Sequence, residues 1–272
     1  MRAGRFYLTY VIDFKARKQR FMATTPTQSP RQRLSFGSKE LDEMVGGGLL
    51  KGTASLISGA PGVGKTTLGL QFLMAGIKSD QPGLLVSFEE FPASLIRDAL
   101  QLGWDLKALE KEGLFKIIFT SPQVLLGSLK TPNSPLAETL NTLSPERVVI
   151  DSTAHFQRLT NDPLELRDIY NTLVNALKRE GMTSLLLDEA VNVLAVQQGR
   201  MASLPFLVDT VMLLRYVEVD STMQRAIAVM KMRGSSHQKE IRRFEIKPGG
   251  LKIGQPFVNR EGILSGTTHR IA

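Results

Sequence analysis

Eight consecutive residues constrain this chain more than any others: Gly59-Ala60-Pro61-Gly62-Val63-Gly64-Lys65-Thr66. They fill every fixed position of the pattern G-x-x-x-x-G-K-[ST]. An apolar run, Thr53 to Ser58, leads into them, and a helical pattern from Lys65 to Ser79 leads out. Glycines at 62 and 64 let the backbone curl until successive N–H groups converge on one anion. The helix that begins near Lys65 adds the positive end of its dipole. Strand, loop and helix in that order form a phosphate cradle, lined by Gly59, Pro61, Gly62, Val63, Gly64, Lys65, Thr66 and Thr67. Lys65 is placed to reach the β- and γ-phosphates of a nucleotide, ATP, and Thr66 to offer a hydroxyl to Mg²⁺.

The surrounding pattern alternates strands and helices. Leu84 to Phe88 is a continuous apolar run, the mark of a strand buried on both faces. Pro92 to Leu102 reads as a helix, and Phe115 to Thr120 and Val148 to Asp151 as further strands. Asp162-Pro163-Leu164-Glu165 combines a capping residue, a proline at the first helical position and an acid three residues after the cap. Leu166, Ile169, Tyr170, Leu173 and Leu177 follow at helical spacing, and the helix ends near Gly181. Thr183 to Leu187 is a strand again. Beyond residue 205 the alternation stops: Val208–Val219, Arg225–Met232 and Glu240–Lys247 are strand-like and joined by short turns. The expected architecture is α/β, a central mostly parallel sheet flanked by helices, with a C-terminal antiparallel β-meander.

Two further acidic positions belong to the same chemistry. Val148-Val149-Ile150-Asp151 is an apolar strand ending in a carboxylate, the place from which a Walker B aspartate holds Mg²⁺ in a chain with such a loop. Ser152 follows with another hydroxyl. Glu89 and Glu90 sit just past the strand Leu84–Phe88, expected to lie beside the phosphate-loop strand, where an acid can position the attacking water. Equally, acids at the start of the helix 92–102 are favoured by its dipole alone.

Charge and composition set the remaining bounds. There is no cysteine, which excludes disulfides, zinc–thiolate sites and thiol catalysis and suits a reducing cytoplasm. No apolar run approaches the roughly 18 residues that span a bilayer, so no membrane association is expected. Of the net charge of +8, residues 1–21 account for +5, through Arg2, Arg5, Lys15, Arg17, Lys18 and Arg20 against Asp13. That basic arm reads as a tail, or as an upstream extension ahead of Met22. Residues 22–33, polar with two prolines, read as a linker to a domain spanning 34–272.

Several strings together resemble the KaiC-like branch of the RecA superfamily of P-loop NTPases. They are Phe36-Gly37, Leu41-Asp42-Glu43, Gly46-Gly47-Gly48-Leu49, Gln71-Phe72-Leu73, Ser87-Phe88-Glu89-Glu90, Asp209 to Glu218, Arg225-Ala226-Ile227, Lys231 to His237 and Ile263-Leu264-Ser265-Gly266. The likeness covers residues 34–272 and is greatest to the second of the tandem ATPase domains that clock members carry. It implies a homo-oligomeric, hexameric ring with ATP at subunit interfaces. It implies that Glu89 and Glu90 activate water, Glu89 also lying near the metal with Thr66 and Asp151. It implies that Lys231 and Arg233 act catalytically in trans on a neighbour's γ-phosphate, with Met232, Ser235, Ser236, His237 and Lys239 lining that same nucleotide. From spacing alone, Lys231 and Arg233 are two apart on a strand and point the same way, which fits a shared target or a solvated face. Asp188-Glu189 ends the strand after Asp151, where RecA relatives place a phosphate sensor; a solvated pair fits equally.

The departures narrow the role. One such domain is present instead of two. Pro205 and Phe206 stand where clock members carry an adjacent Ser-Thr phosphorylation pair, and no long regulatory tail follows Gly266. The expectation is an ATP-hydrolysing ring whose nucleotide state signals to a regulatory protein partner. A DNA recombination or repair ATPase of RecA/RadA type remains the alternative. Its bore-facing loops, roughly 152–162 and 189–204, hold only Arg158, Arg200 and His155 as basic groups, thin for a track of phosphates, and carry no aromatic series for stacking bases. An added autokinase activity would draw on Ser203 or Thr210.

Overall fold

Strands that are apolar on both faces need helices on both sides, and the chain supplies them. The computed structural model describes residues 32–131, 134–189, 204–258, 260–264 and 269–270. The basic arm and residues 22–31 of the expected linker lie outside these. In chain order come β1 (Arg33–Leu34), α1 (Lys39–Met44), β2 (Leu49–Leu50), β3 (Ala54–Gly59), α2 (Lys65–Ile77) and β4 (Gly83–Ser87). Next are α3 (Pro92–Gln101), α4 (Leu106–Lys111), β5 (Phe115–Phe119), α5 (Pro122–Lys130), α6 (Pro135–Leu143) and β6 (Arg147–Asp151). A 3-10 turn (Thr153–Arg158), α7 (Pro163–Arg179), β7 (Thr183–Asp188) and the short α8 (Leu204–Leu207) follow. The chain ends in β8 (Thr210–Val219), β9 (Thr222–Met232), β10 (Arg242–Lys247), β11 (Gly250–Pro256), β12 (Arg260–Glu261) and β13 (His269–Arg270).

Nine strands form the main sheet in the order β11-β10-β9-β8-β3-β7-β6-β4-β5. From β8 to β5 all neighbours are parallel; from β8 to β11 all are antiparallel. The mixed sheet is therefore as expected, and the meander has a fourth strand, β11, that the pattern did not mark. Successive residues of the buried strands point to opposite faces. Ile57, Leu85, Val149 and Leu187 join one core with Leu68, Phe72 and Leu73 of α2. Leu56, Val86, Ile150 and Leu186 join the other with Tyr170, Leu173 and Leu177 of α7.

Register brings the strand ends level. Ser58 pairs with Asp188, Asp151 with Leu187, and Ser87 with Asp151. The expectation that Glu89 and Glu90 follow a strand beside β3 is corrected here: β7 and β6 stand between β3 and β4. The pair instead adjoins Asp151, because β4 pairs with β6.

Arg147, the first residue of β6, is 2% exposed. Its guanidinium donates to Phe72 O of α2 (2.8 Å), to Ser35 O (2.6 Å) and to Gln81 Oε1 (2.8 and 3.0 Å). It also lies 4.6 Å from the centroid of the Phe72 ring. Burial lowers its pKa to about 10, opposed by Asp42 and Glu146; at neutral pH it stays a cation with bidentate donors well used. Arg33, placed at the end of the expected linker, is instead part of the domain: it pairs in β1 and donates to Val45 O and Gly48 O. No helix among the described residues is long and apolar enough to cross a membrane.

Two outcomes follow from this packing. Arg147→Ala strands the buried Phe72 carbonyl and the half-buried Ser35 carbonyl and lowers unfolding stability by about 3 kcal/mol, read from urea denaturation. Gly59→Ala puts a Cβ 2.4 Å from Leu214 O, where β8 passes β3; the strands must part, costing about 2 kcal/mol, read as a fall in melting temperature.

Candidate nucleotide site

β3 delivers the glycine-rich loop and α2 begins at Lys65, as the pattern predicted. Gly64, the residue that starts the helix, has φ 116°, and Gly62 has φ 73°, both in the left-handed region that side-chain-bearing residues rarely enter. Val63 is buried and anchors the loop in the core. Pro61 and Gly62 are exposed at the tip, and Thr67 is half-buried behind Thr66. Lys65 is buried, and its Nζ donates to Gly59 O (2.9 Å) and Ala60 O (3.1 Å). Burial holds its pKa below the ordinary value, while Glu189, Asp151 and Asp188 push the other way. The ammonium thus rests on carbonyls of the loop whose anion it is placed to meet.

Residues that the sequence did not assign to the site close the loop from outside. Tyr216 Oη donates to Gly62 O at 2.7 Å. The Arg225 guanidinium lies 5.3 Å from the Tyr216 ring centroid. Ile246 of β10 backs onto Gly64, so a Cβ there would stand 2.9 Å from its Cδ1. Only the β3–β8 register, Gly59 opposite Leu214, brings Tyr216 to the loop, and no local pattern announces it.

On the other side of Lys65 stand the acids. Thr66 Oγ1 donates to Asp151 Oδ2 at 2.7 Å, so the loop and the end of β6 meet as expected. Burial raises the Asp151 pKa, opposed by the Thr66 hydrogen bond and by Lys65. Ser152 beside it is buried, and its Oγ has no hydrogen-bond partner. A hydroxyl, a carboxylate and an unpartnered hydroxyl are hard oxygen donors of the kind Mg²⁺ takes. Phe88 N donates to Asp151 O (3.0 Å) and Ser87 Oγ to Glu90 O (2.8 Å), which pins the Glu89-Glu90 turn beside β6. Glu89 Oε2 is 3.1 Å from His155 Nε2 in the 3-10 turn. Glu90 titrates above its ordinary range through partial burial first, then Asp151, Asp98 and Glu89. Asp188 is buried and accepts from Thr153 Oγ1 (3.0 Å), while Glu189 is exposed.

Lys231 and Arg233 do not join this group within one chain. Lys231 pairs with Val211, three residues before the Leu214 that faces Gly59, so it lies roughly 10 Å down the sheet from the loop. Its Nζ donates to Pro205 O and Val208 O (both 2.8 Å), and Arg233 Nη2 donates to Phe206 O (2.7 Å). Both cations therefore hold the carbonyls around α8, on one common target. Met232 is partly buried against the core. Ser235 Oγ accepts from Arg33 Nη2 (2.6 Å), and Gln238 N donates to Met44 O (3.0 Å). That packs Ser235 and Ser236 against the α1–β2 turn at the far end of the sheet, with His237 half-buried and Lys239 exposed beside them. Of the groups considered for DNA or phosphorylation, His155 is turned onto Glu89 and Thr210 is buried. Arg200 and Ser203 lie outside the described residues.

Residues 34–257 match the family model of the KaiC ATPase. The circadian clock protein KaiC3 of Synechocystis sp. is 35% identical over 235 residues, covering 86% of this chain and 46% of that protein. The circadian clock oscillator proteins KaiC of Thermostichus vulcanus and Acaryochloris marina are 37% and 36% identical over 248 residues, 90% of this chain and 47% and 46% of theirs. The chain spans about half the length of these curated relatives. With its fold, its phosphate loop and a match across most of its length in agreement, the chain belongs to the KaiC family of RecA-like P-loop ATPases.

Proposed function

We propose that this chain hydrolyses ATP at a site shared between identical copies in a ring, hexameric as in the family likeness. Its nucleotide state would be read by a regulatory protein in the cytoplasm. One observation carries the reading: the Thr66–Asp151 contact at 2.7 Å unites the phosphate loop with the strand end beside Glu89 and Glu90. Lys65 exchanges the carbonyls of Gly59 and Ala60 for phosphate oxygens. Thr66 and Asp151 would hold Mg²⁺, which would neutralise phosphate charge when bound. Glu90, with its raised pKa, takes a proton from water, and Glu89 orients it from its contact with His155. Lys231 and Arg233, remote from their own loop, serve the nucleotide of an adjoining copy. A cation supplied in that way accelerates phosphoryl transfer by about a thousandfold.

Lys65→Ala lowers nucleotide affinity by about a hundredfold, the loss of a charge-assisted contact, measured by fluorescent-nucleotide titration with the fold unchanged by circular dichroism. Turnover falls as pH drops through a midpoint above the usual 4.5 of a glutamate, because only the ionised Glu90 accepts a proton. Glu90→Gln abolishes that limb. Since the folded-state pKa is raised, the stabilisation Glu90 gives is present below pH 4.5 and lost as pH rises. The nucleotide-free Glu90→Gln protein therefore melts higher than the unaltered chain at pH 7 and not at pH 4. Finally, specific ATPase activity rises with protein concentration. Mixing Lys231→Ala with the Glu89→Gln/Glu90→Gln chain restores activity that neither has alone; a mixture as inactive as its parts sinks the shared site.

A further inference from the structure

One face of α2, down the helix from the phosphate loop, floors a cavity of about 380 Å³, within the roughly 300–1,000 Å³ of small-molecule sites. Gln71, Met74, Ala75 and Lys78 form that floor, spaced so that they share one side of the helix. The stretch from Arg33 to Gly37 makes one wall, and Trp104 with Gly249 the other. Both walls are held in place. Phe36 N donates to Asp42 Oδ1 at 2.7 Å. Gly249 N donates to Leu102 O at 2.8 Å, and Leu251 N to Gln71 Oε1 at 2.7 Å. At Gly37 the first wall comes so near the helix that a Cβ would stand 3.0 Å from the Ala75 Cβ. The cavity is thus built into the fold before anything enters it.

Its charge is one-sided. Among the described residues Arg33, Lys78 and Arg147 line it, and no carboxylate does. Arg147 spends its Nε–H, both Nη1 hydrogens and one Nη2 hydrogen on Gln81, Ser35 and Phe72, which leaves one Nη2–H. Arg33 keeps its Nε–H, since Nη1 and Nη2 serve Val45, Gly48 and Ser235. Lys78 is exposed at the C-terminal end of α2, and its ammonium has no partner among the described residues. Asp42 stands behind the first wall, its carboxylate taken by Phe36 N and the Ser35 hydroxyl. Three cations in a recess focus their field on an anion, and the half-buried Trp104 offers a ring beside them.

The place is distinct from the nucleotide site. Lys78 lies thirteen residues after Lys65, roughly 20 Å along the helix. None of the lining residues belongs to the phosphate loop, and none has a part in the hydrolysis described above.

We propose that this cavity is a second ligand site, which takes a small aromatic phosphate of the size of a nucleoside monophosphate. The ring lies against Trp104, and the phosphate meets Lys78 with Arg33 and Arg147 behind it. A phosphate dianion answers three cations better than a single carboxylate does, and an aromatic body uses the indole that a bare phosphate would leave open.

Trp104 is the one tryptophan of the chain, so its fluorescence reports the cavity directly. The probe is AMP, titrated into the Lys65→Ala chain so that the phosphate loop competes only weakly. AMP quenches the emission to saturation, and ribose 5-phosphate, which lacks the ring, needs about ten times the concentration for the same retention in equilibrium dialysis. Adding Lys78→Glu weakens AMP about tenfold, by reversing the charge that meets the phosphate. Lys78 is exposed, so the melting temperature of that chain is unchanged and its loss of binding is not a loss of fold. Quenching seen in the unaltered chain but lost in Lys65→Ala puts AMP on the phosphate loop and overturns the inference. So does AMP that is not retained in dialysis at about 10 mM, or an affinity that is equal for AMP and ribose 5-phosphate, or one that Lys78→Glu leaves unchanged. Each of these outcomes leaves the ATPase reading standing, because hydrolysis by the Lys78→Glu chain with Lys65 intact is measured separately and equals that of the unaltered chain.

Discussion

Strand β6 holds helix α2 at two points, and the site depends on both. At the start of the strand Arg147 donates to the Phe72 carbonyl and covers its ring. At its end Asp151 accepts from the Thr66 hydroxyl. The helix that follows the phosphate loop is thereby fixed along the strand that carries the second acidic group. Neither contact is cheap, since a guanidinium and a carboxylate are both withdrawn from water. Their hydrogen bonds, and the packing of Leu68, Phe72 and Leu73 around them, offset that cost.

The parallel half of the sheet then sorts the charges. Every parallel strand ends on the same edge, so the carboxylates of Asp151, Asp188, Glu89 and Glu90 gather where the loop leaves β3. Lys231 lies on, and Arg233 just past, an antiparallel strand that runs back the other way, and they finish beside α8. Turning from parallel to antiparallel pairing at β8 is what separates the two sets. A chain with a helical crossover after β8 would have carried its next strand end to the acidic edge instead.

Much of this was legible in the residues. The phosphate loop is a local motif whose geometry is fixed by its own glycines, and Asp151 lies at the end of an unmistakably buried strand. The strand and helix limits fell within about three residues for the same reason: continuous apolar runs and Pro-led caps are local signals. Five helices, α1, α4, α5, α6 and α8, escape the pattern, two of them although Ser121-Pro122 and Ser134-Pro135 repeat the cap-and-proline signature that marked α7, and both serines do cap α5 and α6. Their short, weakly periodic sequences masked it. What had no local signal was strand order. It decides that β7 and β6 lie between β3 and β4, and that Tyr216 reaches Gly62. Such facts are set by long-range pairing of strands distant in the chain, which no window of residues encodes.

The two grips on α2 also fix a length. Arg147 and Asp151 are four residues apart on β6, and each must arrive at its own end of the helix. Inserting or deleting one residue between them would turn the side chains on one side of the change to the opposite face and break one grip or the other. The tip of the β8–β9 hairpin is the reverse case. Asp220 and Ser221 are exposed, in a two-residue turn with φ 50° and 59°, and Val219 and Thr222 close the ladder behind them. Extra residues there lengthen a solvent loop and leave the register of the sheet untouched. The same molecule thus has a strand whose count cannot change and, far along the chain, a turn that can carry a label or an inserted tag.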